Sequence, residues 1–438
     1  MRFARAVPFL LALLVLAGSA EAVSQSLAFA QSQPPIQIGA EVNCVVLADV
    51  NKDGSPDLIT ANIGGNTLTV LTNTGHGQFV FNTNITVGNG PACVIASDLT
   101  QDGFIDLVCV NEFDDTMTVL LNQGHGHFKS LTTNTVGSAP TWLAVANLNH
   151  DGRPDLACVN SIDGTLMVLT NTSKGLFAGS STNNTSGTPL FVLAADVNGD
   201  GKQDFVTANY YGGSASVFTN NTLGRFAAAS APLVGGNPAS AASVDLNGDG
   251  LPDLVMADSS SDRLIVLTNQ GAGQFGNYAV LQVGSAPQSV IAADVNGDGL
   301  LDLISANSGD NTLSVLTNNG SGGFVLAALV QDPDGPFSLA AADINHDGNI
   351  DLICANLDGT VTVMTNAGEL ALNTPAFSIA NGFTGTLQGV AGQTYALETS
   401  PDLIHWTPLV TNIDTNGTWI FNDPDTSEAQ RFYRAVKP

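Results

Sequence analysis

Short apolar runs broken by polar turns set the rhythm of this chain. In the most regular stretch, an apolar strand over Ser289–Ala293 enters an acidic loop, a second strand over Asp302–Asn307 leaves it, and a third runs Thr312–Asn318. A Gly-rich turn then ends in Phe324, and a fourth, less regular strand follows. The same order returns every 49 residues. The turn phenylalanine stands at 79, 128, 177, 226, 275 and 324, and a proline at 91, 140, 189, 238, 287 and 336. Four short strands in a unit of roughly 40–50 residues predict propeller blades.

A propeller must join its last blade to its first or leave sheet edges open. The seventh unit has its acidic loop and the two strands after it but no Phe turn, running Asn366-Ala-Gly-Glu-Leu370 instead. At the other end, Ile36–Gly39 matches the close of a fourth strand that has no blade before it. The N-terminal segment is therefore expected to supply the outer strand of the seventh blade. The fold class is all-β: a seven-bladed propeller over about 33–373, followed by a small β-module over 374–438.

The acidic loop has nine positions. Its first residues are Asp49, Asp98, Asn147, Asp196, Asp245, Asp294 and Asp343, and its third are Asn51, Thr100, Asn149, Asn198, Asn247, Asn296 and Asn345. The fifth are Asp53, Asp102, Asp151, Asp200, Asp249, Asp298 and Asp347, and the ninth Asp57, Asp106, Asp155, Asp204, Asp253, Asp302 and Asp351. Oxygen donors at 1, 3, 5 and 9, a Gly at 6 for the sharp turn and a backbone carbonyl at 7 suit a hard cation of the size of Ca²⁺. An EF-hand would need a bidentate Glu at position 12 and flanking helices; here strands flank the loop. Up to seven structural Ca²⁺ are expected.

The run Asp-x-Asn-x-Asp-Gly-x-x-Asp-Leu, then Ala-Asn, then Gly-x-Gly-x-Phe, resembles the FG-GAP/VCBS repeats of integrin α-subunits and many exported bacterial proteins, and the resemblance covers all seven units. It implies a seven-bladed propeller with calcium between the first two strands of each blade. Thr100 and Asn147 depart from the pattern. Both keep a neutral oxygen, so weaker binding is expected where the carboxylate is lost.

The formal net charge is −27. Six loops carry three Asp and the one at Asn147 two, together about half of the 39 acidic residues. Seven Ca²⁺ would bring the charge to −13, and without them the crowded carboxylates repel, so metal binding should be linked to folding. Nucleic acid is an unsuitable partner for such a surface. Arg2 and Arg5 before the apolar run Pro8–Ala17, with small-residue cleavage sites at Ala20–Ala22 or Ala28–Ala30, read as a signal peptide over 1–30. That run is too short to span a bilayer and no later one is long enough. The mature chain is expected to be a monomer, secreted or at the cell surface.

Five cysteines stand at equivalent repeat positions: Cys44 and Cys93, then Cys109, Cys158 and Cys354. They read as small buried strand residues. Equivalent positions in different units are expected to lie far apart, leaving Cys93 and Cys109 as the pair with a chance of proximity. In the C-terminal module, Trp406, Trp419 and Tyr433 read as core.

Antiparallel blades sort the loops onto two faces. The acidic loops and Phe turns share the lower one, with His76, His125, His127, His150 and His346 as solvated turn residues. The loops between strands two and three and between blades form the upper face. Candidate ligand contacts there are Phe113, Asp114, Trp142, Tyr210 and Tyr211, with Arg263 as the sole upper-face cation. A lyase acting on acidic polysaccharide needs more positive charge. Aromatic rings with carboxylates suit neutral sugars or a cationic peptide. The reading is a non-catalytic binding or adhesion protein, lectin-like, with carbohydrate or a cell-surface protein as partner. The alternative is a polysaccharide-degrading enzyme, a glycoside hydrolase or lyase, with Asp114 and Asp115 as the candidate carboxylates of a hydrolase.

Overall fold

A computed structural model describes residues 27–39, 41–222, 224–320, 322–332, 334–369, 372–378, 382–388, 394–400, 407–413, 418–423 and 432–436. The signal-peptide reading falls almost wholly on residues outside these. So do Trp406 and the side chains of Trp419 and Tyr433.

Six four-stranded antiparallel sheets and a seventh, five-stranded one form the blades. In the first blade the strands are Val42–Ala48, Asp57–Asn62, Thr67–Asn73 and Phe79–Thr86. Burial grades across the sheet. All seven second strands, such as Asp57–Asn62 and Asp351–Asn356, are buried along their whole length, while fourth strands such as Phe79–Thr86 are largely exposed. A strand covered on both faces has no solvent side to set aside for polar residues, so Leu-Ile-Thr-Ala and its equivalents show no alternation, and the polar residue among them is hydrogen-bonded, as Thr60 is to Asn62 Oδ1 at 2.7 Å.

First strands pack against first strands around the ring, and Pro336–Ala342 of the seventh blade packs against Val42–Ala48 of the first. An apolar cluster spans that junction, joining Val42, Leu58 and Phe79 to Ile344, Ile353 and Val363. In the seventh sheet, Ile36–Gln37 pairs antiparallel with Thr360–Glu369, with Ile36 opposite Val361 and Gln37 opposite Thr360. Ser32 N–H extends that edge to the Val363 carbonyl at 3.1 Å. The N-terminal segment thus completes the last blade.

The cysteine expectation is corrected. All five are buried and free. Cys44 and Cys93, equivalent residues of neighbouring first strands, lie 3.8 Å apart at sulfur. A propeller turns each unit about one axis, so equivalent residues of adjacent inner strands become neighbours instead of being held a repeat length apart. Cys93 faces Val110 and Cys109 faces Val94, one register step away. Successive strand residues point to opposite faces, which separates these two thiols.

The C-terminal unit, described by itself, holds two three-stranded sheets. Gly382–Gln388 lies between Leu372–Ser378 and Thr418–Asp423, and Thr394–Ser400 between Thr407–Ile413 and Phe432–Val436. Leu397 is fully buried. Among the described residues no helix is long and apolar enough to cross a membrane.

Candidate metal loops and the upper face

Each acidic loop is curled by its own side chains. In the first, Asp49 accepts from the N–H groups of Asp53 at 3.1 Å and Gly54 at 2.9 Å, Asn51 Oδ1 from Asp53 N–H at 2.8 Å, and Asp53 Oδ1 from Ser55 N–H at 2.9 Å. The later loops follow the scheme, as at Asp245, Asn247 and Asp249, except that Thr100 and Asn147 accept none of these bonds. The curl needs left-handed backbone twice. Position 6 is Gly throughout, with φ of 92° at Gly54 and 86° at Gly299, and at these two an added Cβ would meet nothing. Gly is therefore required by φ and not by crowding. Position 4 is also left-handed, and tolerates Lys52, Gln101, His150 and His346.

The ninth residue plays a different part. Asp57 is fully buried. Its Oδ2 accepts from Val50 N–H at 3.0 Å and its Oδ1 from Asn73 N–H at 2.9 Å. All seven loops repeat the first bond, ending with Ile344 and Asp351 at 3.2 Å. This carboxylate locks the loop onto the third strand. Burial pushes Asp57, Asp106, Asp204 and Asp302 up to about 6, against the pull of those backbone donors; Asp155 and Asp253 are raised for the same reason.

Among the described residues, no three His, Cys, Asp or Glu side chains are gathered as a metal-binding group; the loop carboxylates are turned onto backbone N–H groups. Two other atoms bear on the fit. Thr100 Oγ1 and Asn147 Oδ1, the substituted donors of the second and third loops, are buried without a hydrogen-bond partner. A buried polar atom left unpaired is costly, and a hard cation in the loop would give each one a partner. The third loop differs again. Arg153 at position 7 pairs with Asp151 at 2.6 Å, placing a guanidinium beside one of only two carboxylates.

On the upper face the candidates separate. Phe113 and Tyr211 are 67% and 78% exposed. Tyr210, half-buried, meets Tyr211 edge-on at 4.9 Å in a single 3₁₀ turn. Trp142 packs on Phe191 at 4.9 Å between neighbouring first strands, away from the loop tips. Asp114 accepts from Asn89 N–H at 2.6 Å and Asn89 Nδ2 at 2.7 Å, bonds that hold its carboxyl below the usual carboxylate range. Asp115 accepts from Ala139 N–H, Asp163 from Ser138 N–H and Asp262 from Ala286 N–H. Asp114 and Asp163 staple the loop between strands two and three to the loop entering their own blade, and Asp115 and Asp262 staple it to the loop entering the next blade. Arg263 is not free: its Nε donates to fully buried Asp258 at 2.9 Å.

Sequence reasoning missed Ile162, which is 77% exposed. The signal was present, since 113, 162 and 211 are one loop position at successive intervals of 49. Leu233, 83% exposed in the connection after the fourth blade, had no such signal.

Seven blades, curled acidic loops on one face and exposed loop tips on the other define a β-propeller of the binding or adhesion type. The chain belongs to the FG-GAP-like repeat family, whose model matches residues 49–109, 98–158, 147–207, 196–256, 245–305 and 294–354. No curated protein sequence matches it. Solved structures with a similar fold include two crystal structures of BBS1N in complex with ARL6DN. The one soaked with lead has a TM-score of 0.55 at 13% identity, covering 78% of this chain and 96% of that one. The one soaked with mercury has a TM-score of 0.58 at 14% identity, covering 78% and 98%.

Proposed function

We propose that this chain is an exported, calcium-loaded recognition propeller that binds a polypeptide on a partner surface through its upper face, without turnover. The observation that carries the reading is the exposure of Phe113, Ile162 and Tyr211 at one loop position of three successive blades. Exposed apolar side chains repeated from blade to blade on a carboxylate-bearing rim suit a partner segment with both apolar and basic groups. Ile162 and Leu233 offer aliphatic surface, which rewards polypeptide side chains. The nearby carboxylates are engaged by backbone N–H groups, which leaves fewer acceptors for sugar hydroxyls. The same engagement weighs against Asp114 and Asp115 as a glycosidase pair.

Calcium belongs to the lower loops in this reading. Their oxygen-only donor set and the unpartnered oxygens of Thr100 and Asn147 support it. Export accords with calcium dependence, because the ion is abundant outside cells.

A lectin-like role remains the second reading, favoured by the bare rings of Phe113 and Tyr211. The test screens the chain against a displayed random peptide library and a neutral glycan array, in calcium and in EDTA. It is then repeated with Phe113, Ile162 and Tyr211 all changed to Ala. Basic, apolar peptides bound by the native chain and lost in the variant would support the proposal. Sugar binding lost in the variant would establish the second reading. Binding that survives the triple change would remove the upper face from the function.

A further inference from the structure

The third residue of the first strand is a meeting point between blades. At Trp142 and Phe191 two rings pack at 4.9 Å. At Ser240 and Ser338 the hydroxyl accepts from a neighbouring blade's strand, from Val290 N–H at 2.9 Å and from Val45 N–H at 3.3 Å. In the first two blades the position is held by Cys44 and Cys93, both 1% exposed, with sulfurs 3.8 Å apart. Asn43 Nδ2 fixes the two strands beside them by donating to the Ala92 carbonyl at 3.0 Å. Cys158 lies near enough to Cys93 to act on it electrostatically, but the hydrogen bonds that the other three thiols donate go to oxygens. Cys109 and Cys158 each donate to the Asn two positions on, both at 3.5 Å, and Cys354 to the Ala355 carbonyl at 3.6 Å.

We propose that Cys44 and Cys93 form an inter-blade dithiol that closes to a disulfide when the chain folds in the presence of a low-molecular-weight disulfide. Bonded sulfurs stand about 2 Å apart, so closure asks for a modest turn of each side chain and no exchange of strand partners. As the chain folds, one of the two thiolates attacks one sulfur of the small disulfide, forming a mixed disulfide and releasing one small thiolate. The sulfur of the other cysteine, losing its proton to solvent, then attacks the protein sulfur of the mixed disulfide and expels the second small thiolate, which with the first takes up protons from solvent. Two protein thiols are oxidised and one small disulfide is reduced to two thiols. The link joins residues 49 apart and clasps the inner strands of the first two blades, next to the junction where the ring closes.

The experiment is peptide mapping without reduction on the full chain, refolded with oxidised glutathione and, in parallel, with reduced glutathione. The expected result is a Cys44–Cys93 linked peptide lighter by two hydrogens in the oxidised sample. Cys109, Cys158 and Cys354 should be alkylated only after denaturation. In Cys93→Ser the linked peptide should vanish and Cys44 should carry glutathione or remain free. Native-like chain refolded under oxidised glutathione with both Cys44 and Cys93 still open to alkylation would overturn the proposal. So would a dominant link to any other cysteine. The wild-type sample decides the matter even if the variant fails to fold.

Discussion

Asn73 on the third strand of the first blade donates its Nδ2–H to the Ile344 carbonyl, 2.8 Å away and 271 residues later. Ile344 is the second residue of the seventh acidic loop, so the bond ties the beginning of the ring to its end. Asn122 makes the same bond to Val50, Asn171 to Leu99, Asn220 to Leu148 and Asn269 to Val197.

Asn73 also donates to the Pro56 carbonyl and accepts from Gly75 N–H. Asn73→Ala strands these groups and should cost about 1–3 kcal/mol. The measurement is the urea midpoint of the full chain. A midpoint equal to wild type would show that apolar packing alone closes the ring.

The ninth and fifth loop residues should separate in a calcium experiment. Asp57→Ala leaves two buried N–H donors without an acceptor and should lower the melting temperature in EDTA and in calcium alike, by about 1–3 kcal/mol of stability. Asp53 lies on the exposed side of the same loop. Asp53→Asn should be close to wild type in EDTA and lose only the gain that calcium gives. Equal losses under both conditions would deny Asp53 a role as ligand.

The buried carboxyls set the pH dependence of the metal-free chain. Burial pushes Asp57, Asp106, Asp204 and Asp302 up to about 6. A raised folded value means the folded state holds these protons more tightly than the unfolded one. Their contribution is fully present below the ordinary carboxylate value of about 4 and is lost as pH rises through about 6. In EDTA the melting temperature should therefore fall between about pH 4 and pH 7, and calcium should flatten the fall. A rise over that interval in EDTA would refute this account.

Five blades tie the Asn ending the second strand to a Thr opening the third, as in Asn62 to Thr67 at 3.1 Å and Asn307 to Thr312 at 3.0 Å. The fourth blade uses Ser214, and the fifth uses Asp258 and Arg263. Removing one partner of a buried ion pair costs about 3–5 kcal/mol, while replacing both with fitting neutral groups costs far less. Arg263 is partly exposed, so Arg263→Thr should fall at the low end. Asp258→Asn with Arg263→Thr rebuilds the pattern of the other blades and should recover most of the loss. A thermal-shift comparison of the single and double variants decides it, and strictly additive losses would contradict the pairing.

The repeat, the seven blades and the closing N-terminal strand were legible because each rests on a local signal that recurs: an apolar run, a loop Gly, a turn Phe. What the sequence did not reveal depends on ring geometry. Nothing in the spacing of Cys44 and Cys93 says that one turn about a shared axis will bring them together. Arg263 reads as a free cation until Asp258 is seen beside it, and Asp114 as a candidate acid until Asn89 is seen to engage it. Trp142 reads as a ligand contact, and the packing of its partly exposed ring on Phe191 of the neighbouring blade has no trace in the repeat spacing. Ile162 was open to sequence reasoning, but only by comparing one loop position across blades.

The second residue of each acidic loop faces two ways. Its N–H goes to the Asp of its own loop, and in five described junctions its carbonyl goes to an Asn of the next blade. A linear stack of repeats has ends, and frays from them. This chain has the boundary condition of a loop: no blade is terminal, none needs a cap, and loosening any one breaks two junctions at once. Losing a single blade would not shorten the assembly by a seventh; it would turn a closed belt into an open strip with two raw edges.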